Sequence, residues 1–243
     1  MLQRTTLVTG ASRPFGLELV RLCLKRGDQV IAASRSVARA TALADLRAEY
    51  QSLELLVLDP ADAASVAEAI PVLQNMTSAI DLLLVAPAEA GPHGQGSDTE
   101  RNAALETLSA TSLVEHYRRH AVAPVLMART LLPWLATAEQ ARILFVSTWP
   151  GSHVGEAHGG AYAGCASDAG MHMLARSLAR DVADKKIIVC VGSAGAYPGA
   201  MQSPTATGRT DEAAAGLLDI VDQLSIEQSG AFVDWKGDER ALM

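Results

Sequence analysis

Two groups of residues in this sequence have types and spacings that could do chemistry. The first is the run Thr9-Gly10-Ala11-Ser12-Arg13-Pro14-Phe15-Gly16, which follows an apolar stretch and opens a helical pattern. Glycines at such a junction let the backbone approach a phosphate, and the helix N-terminus adds oriented N–H groups and positive partial charge. The second is a set of acid–base side chains: His120, Tyr162 and Asp168, with His153, Glu156 and His158 on the stretch between the last two and His120. Such groups could serve a non-redox reaction, for example an elimination, an isomerisation or a ring closure. Each has a plainer reading too. Loop histidines are commonly solvated, and His120 is as readily a hydrogen-bonded structural group as a catalytic one.

The elements that must position these residues alternate from the start of the chain. Strand-like runs at Arg4 to Thr9, Gln29 to Ser34 and Ser52 to Leu58 are separated by helical patterns at Phe15 to Arg26 and Val37 to Glu49, a βαβαβ series. Ala61 to Asn75 reads as a helix entered through Asp59-Pro60, and Ile80 to Val85 is an apolar fourth strand. A loop rich in glycine, proline and polar residues covers Ala88 to Ala104, after a strand end where ligands bind in open α/β sheets. Leu105 to Leu135 reads as one long helix, Arg142 to Ser147 as a strand, Gly160 to Asp184 as a helix and Ile187 to Val191 as a strand. Glu212 to Leu224 and Gly230 to Trp235 close the series as helix and strand. The expected fold is a doubly wound parallel α/β sheet, a Rossmann fold of about seven strands with helices on both faces. Residues 1–243 are expected to form one such domain.

Composition narrows the partners. A hydrophobic fraction of 49% with 19% charged residues suits a substantial core. No run approaches the roughly 18 apolar residues that span a bilayer. A net charge of −7 without a Lys/Arg block argues against nucleic acid or an anionic membrane, which leaves small molecules or proteins. Cys23, Cys165 and Cys190 are odd in number and widely spaced, so neither a disulfide framework nor a metal site is expected. The first strand begins almost at Met1, leaving no room for a secretory signal, and a cytoplasmic location is the expectation.

The Thr9 to Gly16 turn resembles the TGxxxGxG turn of the short-chain dehydrogenase/reductase family, with Gly10 and Gly16 kept and Pro14 in place of the middle glycine. Pro14 removes one N–H from the cradle, or simply starts the helix where a missing N–H costs nothing. After the second strand the sequence reads Ala33-Ser34-Arg35, with Ser34 where an acidic residue would meet the ribose hydroxyl of NAD. Arg35 and Arg13 could instead clamp a 2′-phosphate, so the cofactor implied is NADP(H), bound weakly or not at all if Pro14 spoils the cradle. The alternative is that both arginines are solvated. Asp59 matches the aspartate that meets the adenine amino group, or caps the Ala61 helix. Val85-Ala86-Pro87-Ala88 stands where the family has Asn-Asn-Ala-Gly, placing Ala86 beside the cofactor without amide side chains.

The resemblance extends to the proton relay, for which the family uses Asn, Ser, Tyr and Lys. His120-Ala121-Val122-Ala123-Pro124 aligns with the Asn-Val-x-x-Pro segment and puts His120 at the Asn position. Ser147-Thr148-Trp149-Pro150-Gly151 resembles the Ser-Ser-x-x-Gly turn, with Thr148 at the serine position. From Ser167 to Ala179 the helix runs in step with the Ser-Lys-Ala-Ala-Leu-Asn-Met-Leu pattern, which places Asp168 at the Lys and Gly164 at the Tyr. Taking Tyr162 as the family tyrosine puts Ala166 at the Lys and slips the helix by two, turning its buried face by roughly 200°. The first register is therefore preferred. A carboxylate in place of the ammonium reverses the local field, raising a neighbouring phenol's pKa and repelling a cofactor phosphate.

Gly159-Gly160-Ala161-Tyr162 and the closing Ser229 to Gly237 are similar to the C-factor-like branch of that family. The turn after the sixth strand is Ala194-Gly195 by spacing or Pro198-Gly199 by residue identity. The leading expectation is a divergent or pseudo-dehydrogenase that has lost ordinary redox catalysis. One alternative is a non-redox enzyme using His120, Tyr162 and Asp168, for which a closed pocket is expected; another is a conventional NADP(H)-dependent carbonyl oxidoreductase. A non-catalytic partner of an active relative would have a filled or flat cleft. The resemblance also implies a homo-oligomer, dimer or tetramer, and a small-molecule ligand in the cleft.

Overall fold

The structure is a computed structural model and describes residues 3–86, 105, 108–147, 162–195 and 210–238. Seven parallel strands form one sheet: β1 (Thr5–Thr9), β2 (Gln29–Ser34), β3 (Leu53–Val57), β4 (Leu82–Val85), β5 (Arg142–Ser147), β6 (Ile188–Ser193) and β7 (Phe232–Asp234). Their order is β3-β2-β1-β4-β5-β6-β7, so the chain reverses direction across the sheet between β1 and β4. Thr9 pairs with Val85 at that switch point, which opens a crevice at the C-terminal edge of the sheet. The doubly wound α/β fold and its seven strands are as the sequence predicted.

Alternation along the strands explains the layers. Leu7, Leu83 and Ile143 face one side of the sheet, while their neighbours Val8, Leu84 and Leu144 face the other. On the second side lie α1 (Pro14–Lys25), α2 (Thr41–Glu49) and α7 (Thr210–Gln223), seated by Phe15, Leu19, Leu43, Leu217 and Val221. On the first lie α3 (Ala63–Met76), α4 (Ala110–Tyr117), α5 (Ala123–Leu135) and α6 (Tyr162–Asp181), seated by Leu73, Met127, Leu131, Met171 and Leu178. Strands apolar on both faces need helices on both, and these amphipathic helices cover them.

Three local departures from the sequence reading bear on the site. The stretch read as one helix from Leu105 is described as helix only from Ala110, and a π-helical segment, Arg118–Val122, joins α4 to α5. Helix α3 starts two residues after Ala61, because Asp62 caps it by accepting the Ala64 N–H at 2.9 Å. Asp59 is therefore not the N-cap and instead accepts the Ala61 N–H at 3.0 Å. Val37 to Glu49 splits into a short 3-10 turn, Val37–Arg39, and α2.

Among the described residues, no helix is long and apolar enough to cross a membrane, and no cluster of His, Cys, Asp and Glu could hold a metal ion.

Candidate functional site

A cavity of about 520 Å³ occupies the crevice at the switch point. Among the described residues it is a true concavity, so the cleft is neither filled nor flat. Its first end is built by the β1–α1 turn and the ends of β2 and β3. Gly10 has φ +62°, a left-handed conformation that favours glycine, and the turn folds back so that a Cβ on Gly16 would lie 2.3 Å from the Gly10 carbonyl oxygen. Both glycines are thus fixed by geometry. Pro14 is the first residue of α1 and Arg13 its N-cap, so the proline sits where a helix has no use for its N–H.

Ser34 ends β2, buried, and shares a hydrogen bond of 2.8 Å with Ser12. The cavity is lined there by Gly10, Ser12, Arg13, Arg35, Asp59 and, from the edge of β4, Ala86, all predicted to meet a cofactor. Gly16 packs behind the turn rather than lining it. Arg39, which the sequence reading missed, joins them. Arg35 and Arg39 are exposed and pair with no carboxylate among the described residues. Arg4 and Arg26, by contrast, are paired: Arg4 bridges Asp28 at 3.0 Å and Asp222 at 2.6 Å, and Arg26 bridges Asp219 at 2.5 Å and Asp222 at 2.9 Å.

The second end of the cavity is lined by His120, Pro124, Phe145, Val146, Asp168 and Met171. Helix α6 settles which of its residues face inward. Gly164, Ser167, Asp168, Met171 and Ala175 are buried along one face, whereas Tyr162 and Ala166 are exposed. The pair Gly164 and Asp168 therefore has the inward positions, and the slipped pair does not. Tyr162, 39% exposed at the first turn of the helix, is not among the residues lining the cavity. Thr148, His153, Glu156 and His158 lie outside the described residues, as does Pro198-Gly199. Ala194-Gly195 directly follows β6, with Gly195 in the left-handed region at φ +68°.

Asp168 is only 7% exposed, and Ser147 at the end of β5 donates its hydroxyl to Asp168 Oδ2 at 3.0 Å. One residue earlier on the helix, Ser167 Oγ is hydrogen-bonded to His116 Nδ1 at 2.8 Å. The His116 ring stacks on His120, with centroids 4.0 Å apart and planes 16° from parallel. Helix α4 lies close on α6, since a Cβ on Gly170 would be 2.3 Å from the Tyr117 ring. That approach brings His116 over Ser167, and the wider turn of the π segment keeps Arg119 and His120 both on the cavity wall. The four-residue spacing of His116 and His120 was the available sequence signal for this stack. Ser147 and Arg119 carried none that composition or spacing could reveal.

No lysine reaches this end. Lys25 ends α1, Lys185 and Lys186 precede β6, and Lys236 follows β7 with its ammonium 5.2 Å from the Trp235 ring centre. None of the four lines the cavity. Chemically, the first end offers guanidinium groups and a glycine cradle to phosphates. The second offers an imidazole and a carboxylate to protons, and no ammonium.

Residues 4–213 match the short chain dehydrogenase family model. The chain is similar to C-signal of Myxococcus xanthus, 28% identical over 136 residues that make up 56% of this chain and 82% of that protein. It is similar to 3-oxoacyl-(acyl-carrier-protein) reductase FabG of Escherichia coli (strain K12), 29% identical over 225 residues, 88% of this chain and 80% of that one. Its structure is similar to that of an NADPH-bound carbonyl reductase from chicken fatty liver, with a TM-score of 0.86 and 25% identity over 99% of this chain and 100% of that one.

Proposed function

The chain belongs to the short-chain dehydrogenase family, and from that premise we propose that it is a divergent member that binds NADP(H) and does not carry out ordinary hydride transfer. The observation that carries this reading is the inward placement of Gly164 and Asp168 on α6, where the family resemblance puts the proton-donating tyrosine and its lysine. A bound nicotinamide would supply a hydride. The proton that must accompany it needs a donor with a lowered pKa, and a buried carboxylate beside the site works against that.

The residues at the first end fit the cofactor. The left-handed Gly10, with Gly16 packed closely behind it, lets the turn backbone approach a pyrophosphate, and Arg35, Arg39 and Arg13 suit a 2′-phosphate. Ser34, neutral where a carboxylate would repel that phosphate, supports NADP(H) over NAD(H). Residues 1–243 act as one domain, in the cytoplasm, on a small molecule. The exposed Val114, Leu126 and Met173 support oligomerisation through the helices α4 to α6. Fluorescence titration with NADPH and NADH tests the cofactor half. NADPH is expected to bind at least about tenfold more tightly, as loss of charge-assisted hydrogen bonds to one phosphate implies. Absence of NADPH binding at millimolar concentration would contradict it.

A second reading is favoured by one observation, that His120 and Asp168 line the same cavity. In it, His120 moves a proton in an elimination, isomerisation or ring closure while Asp168, held by Ser147, orients the substrate or balances charge. Solvent-deuterium exchange into carbonyl compounds, lost in His120→Ala, is the outcome it predicts; no exchange across such a panel would oppose it.

A further inference from the structure

Arg119 precedes His120 in the π segment and lines the same cavity. Its Nε donates to Glu115 Oε1 at 2.5 Å, an ordinary pairing one turn apart that by itself is worth little. The Glu115 carboxylate, however, is already engaged: Arg118 donates to it from Nε at 2.9 Å and from Nη2 at 3.0 Å. Hydrogen bonds from Arg118 and Arg119 hold that carboxyl well below its usual range, at about 2, so it stays ionised in all ordinary conditions. One negative charge thus faces two positive ones. Arg118 is turned towards Ala61, whose carbonyl accepts from its Nη1 at 2.5 Å. The surplus charge falls to Arg119, whose Nη groups have no partner among the described residues.

This surplus faces a cavity with an unusual balance for a chain of net charge −7. Arg13, Arg35, Arg39 and Arg119 line it against two carboxylates, Asp59 and Asp168. Three of those arginines come from the β1–α1 turn and from the segment between β2 and α2. Arg119 comes from the other face of the sheet, because α4 and α5 pack opposite α1. A single 2′-phosphate at the end of β2 leaves Arg119 unanswered. The cradle meanwhile lacks one N–H at Pro14, so phosphates lying in it would keep an acceptor oxygen unmet, for which a guanidinium on the far wall is a donor.

We infer that Arg119 is a second anion-binding group of the cavity, meeting the 5′-side phosphates of a nucleotide whose 2′-phosphate is held by Arg35. The site then selects adenosine nucleotides phosphorylated at both ribose positions. This rests on the NADP(H) reading above and adds to it a residue and a ligand class.

The test uses the full chain and measures displacement of fluorescent NADPH by adenosine 2′,5′-bisphosphate and by adenosine 2′-monophosphate. Wild type, Arg119→Met and Arg35→Met are compared, methionine keeping most of the aliphatic bulk. Arg119→Met is expected to weaken the bisphosphate about tenfold or more and to leave the monophosphate within about twofold, while Arg35→Met weakens both. Arg119→Lys, which keeps the charge, is expected to recover part of the loss. Unchanged bisphosphate binding in Arg119→Met overturns this inference and leaves the NADP(H) reading standing. Equal weakening of both probes assigns Arg119 to the 2′-phosphate and also overturns it. Failure of wild type to bind either NADPH or the bisphosphate overturns both readings together.

Discussion

The two ends of the cavity are built from different material. At the end built by the β1–α1 turn the backbone sets the shape: Gly10 is left-handed, a Cβ on Gly16 would meet the Gly10 carbonyl, and the side chains that line the wall include exposed arginines with no carboxylate partner among the described residues. At the other end the polar side chains are engaged with one another, Ser147 with Asp168, Ser167 with His116, and His116 with His120. Groups of the first kind are positioned to meet a ligand, whereas Ser147, Asp168, Ser167 and His116 at the second end hold hydrogen bonds within the protein. On the proposed reading, binding and chemistry are separable in one cavity. On that reading, a substitution on α6 removes a reaction without touching the β1–α1 turn.

The strongest way to break this contrast is to rebuild the second end. Asp168→Lys with Gly164→Tyr is expected to raise NADPH oxidation with simple ketones by at least about a hundredfold, the usual contribution of a positioned acid. No gain in a folded, NADPH-binding double variant would count against the register on α6.

A second prediction concerns the same helix turned the other way. His172 is buried against the Phe232 ring, with centroids 4.3 Å apart, and burial pushes its imidazole down from 6.5 to about 4. The folded chain then binds fewer protons than the unfolded chain between those values, so stability falls as pH drops from 6.5 towards 4 and the loss levels off below. The full loss is on the order of 3 kcal/mol. Urea denaturation of wild type and His172→Phe across that range checks it, and identical pH profiles would refute it.

At the first end, Gly16→Ala forces a Cβ onto the Gly10 carbonyl, and the expected cost is about 2 kcal/mol of stability together with most of the NADPH affinity. An alanine variant that binds NADPH normally would show that the cradle is not what holds the phosphates. The smallest expected effect is Ser147→Ala, which takes a donor from Asp168 and should cost about 1 kcal/mol in the same denaturation assay. No change there would mean that the Ser147 hydrogen bond contributes nothing net.

Much of this was legible in the sequence because parallel strands and turn glycines carry local signals. Strands β2 and β5 fall on the residues expected, each bounded by polar or turn residues around an apolar run. The buried face of α6 was also readable, since its amphipathic pattern turns Gly164 and Asp168 inward and leaves Tyr162 and Ala166 exposed. Other features lay beyond periodicity. A π segment inserts one residue into a turn without any change of composition, so Arg119 and His120 sharing a wall could not be foreseen. Asp59 and Asp62 both have the chemistry of a helix cap, and only the backbone of the Asp59 to Asp62 turn decides between them. The contact of His116 with Ser167 joins residues 51 positions apart, a distance at which no local pattern speaks.

The central claim is that one end of the cavity still binds while the other no longer transfers hydride. It is tested most directly by mixing the protein with NADPH and then with a panel of simple ketones, following nicotinamide fluorescence throughout. The account predicts a rise in fluorescence on binding that then persists in the presence of every ketone. A rise followed by steady decay, as NADPH is oxidised, would contradict it.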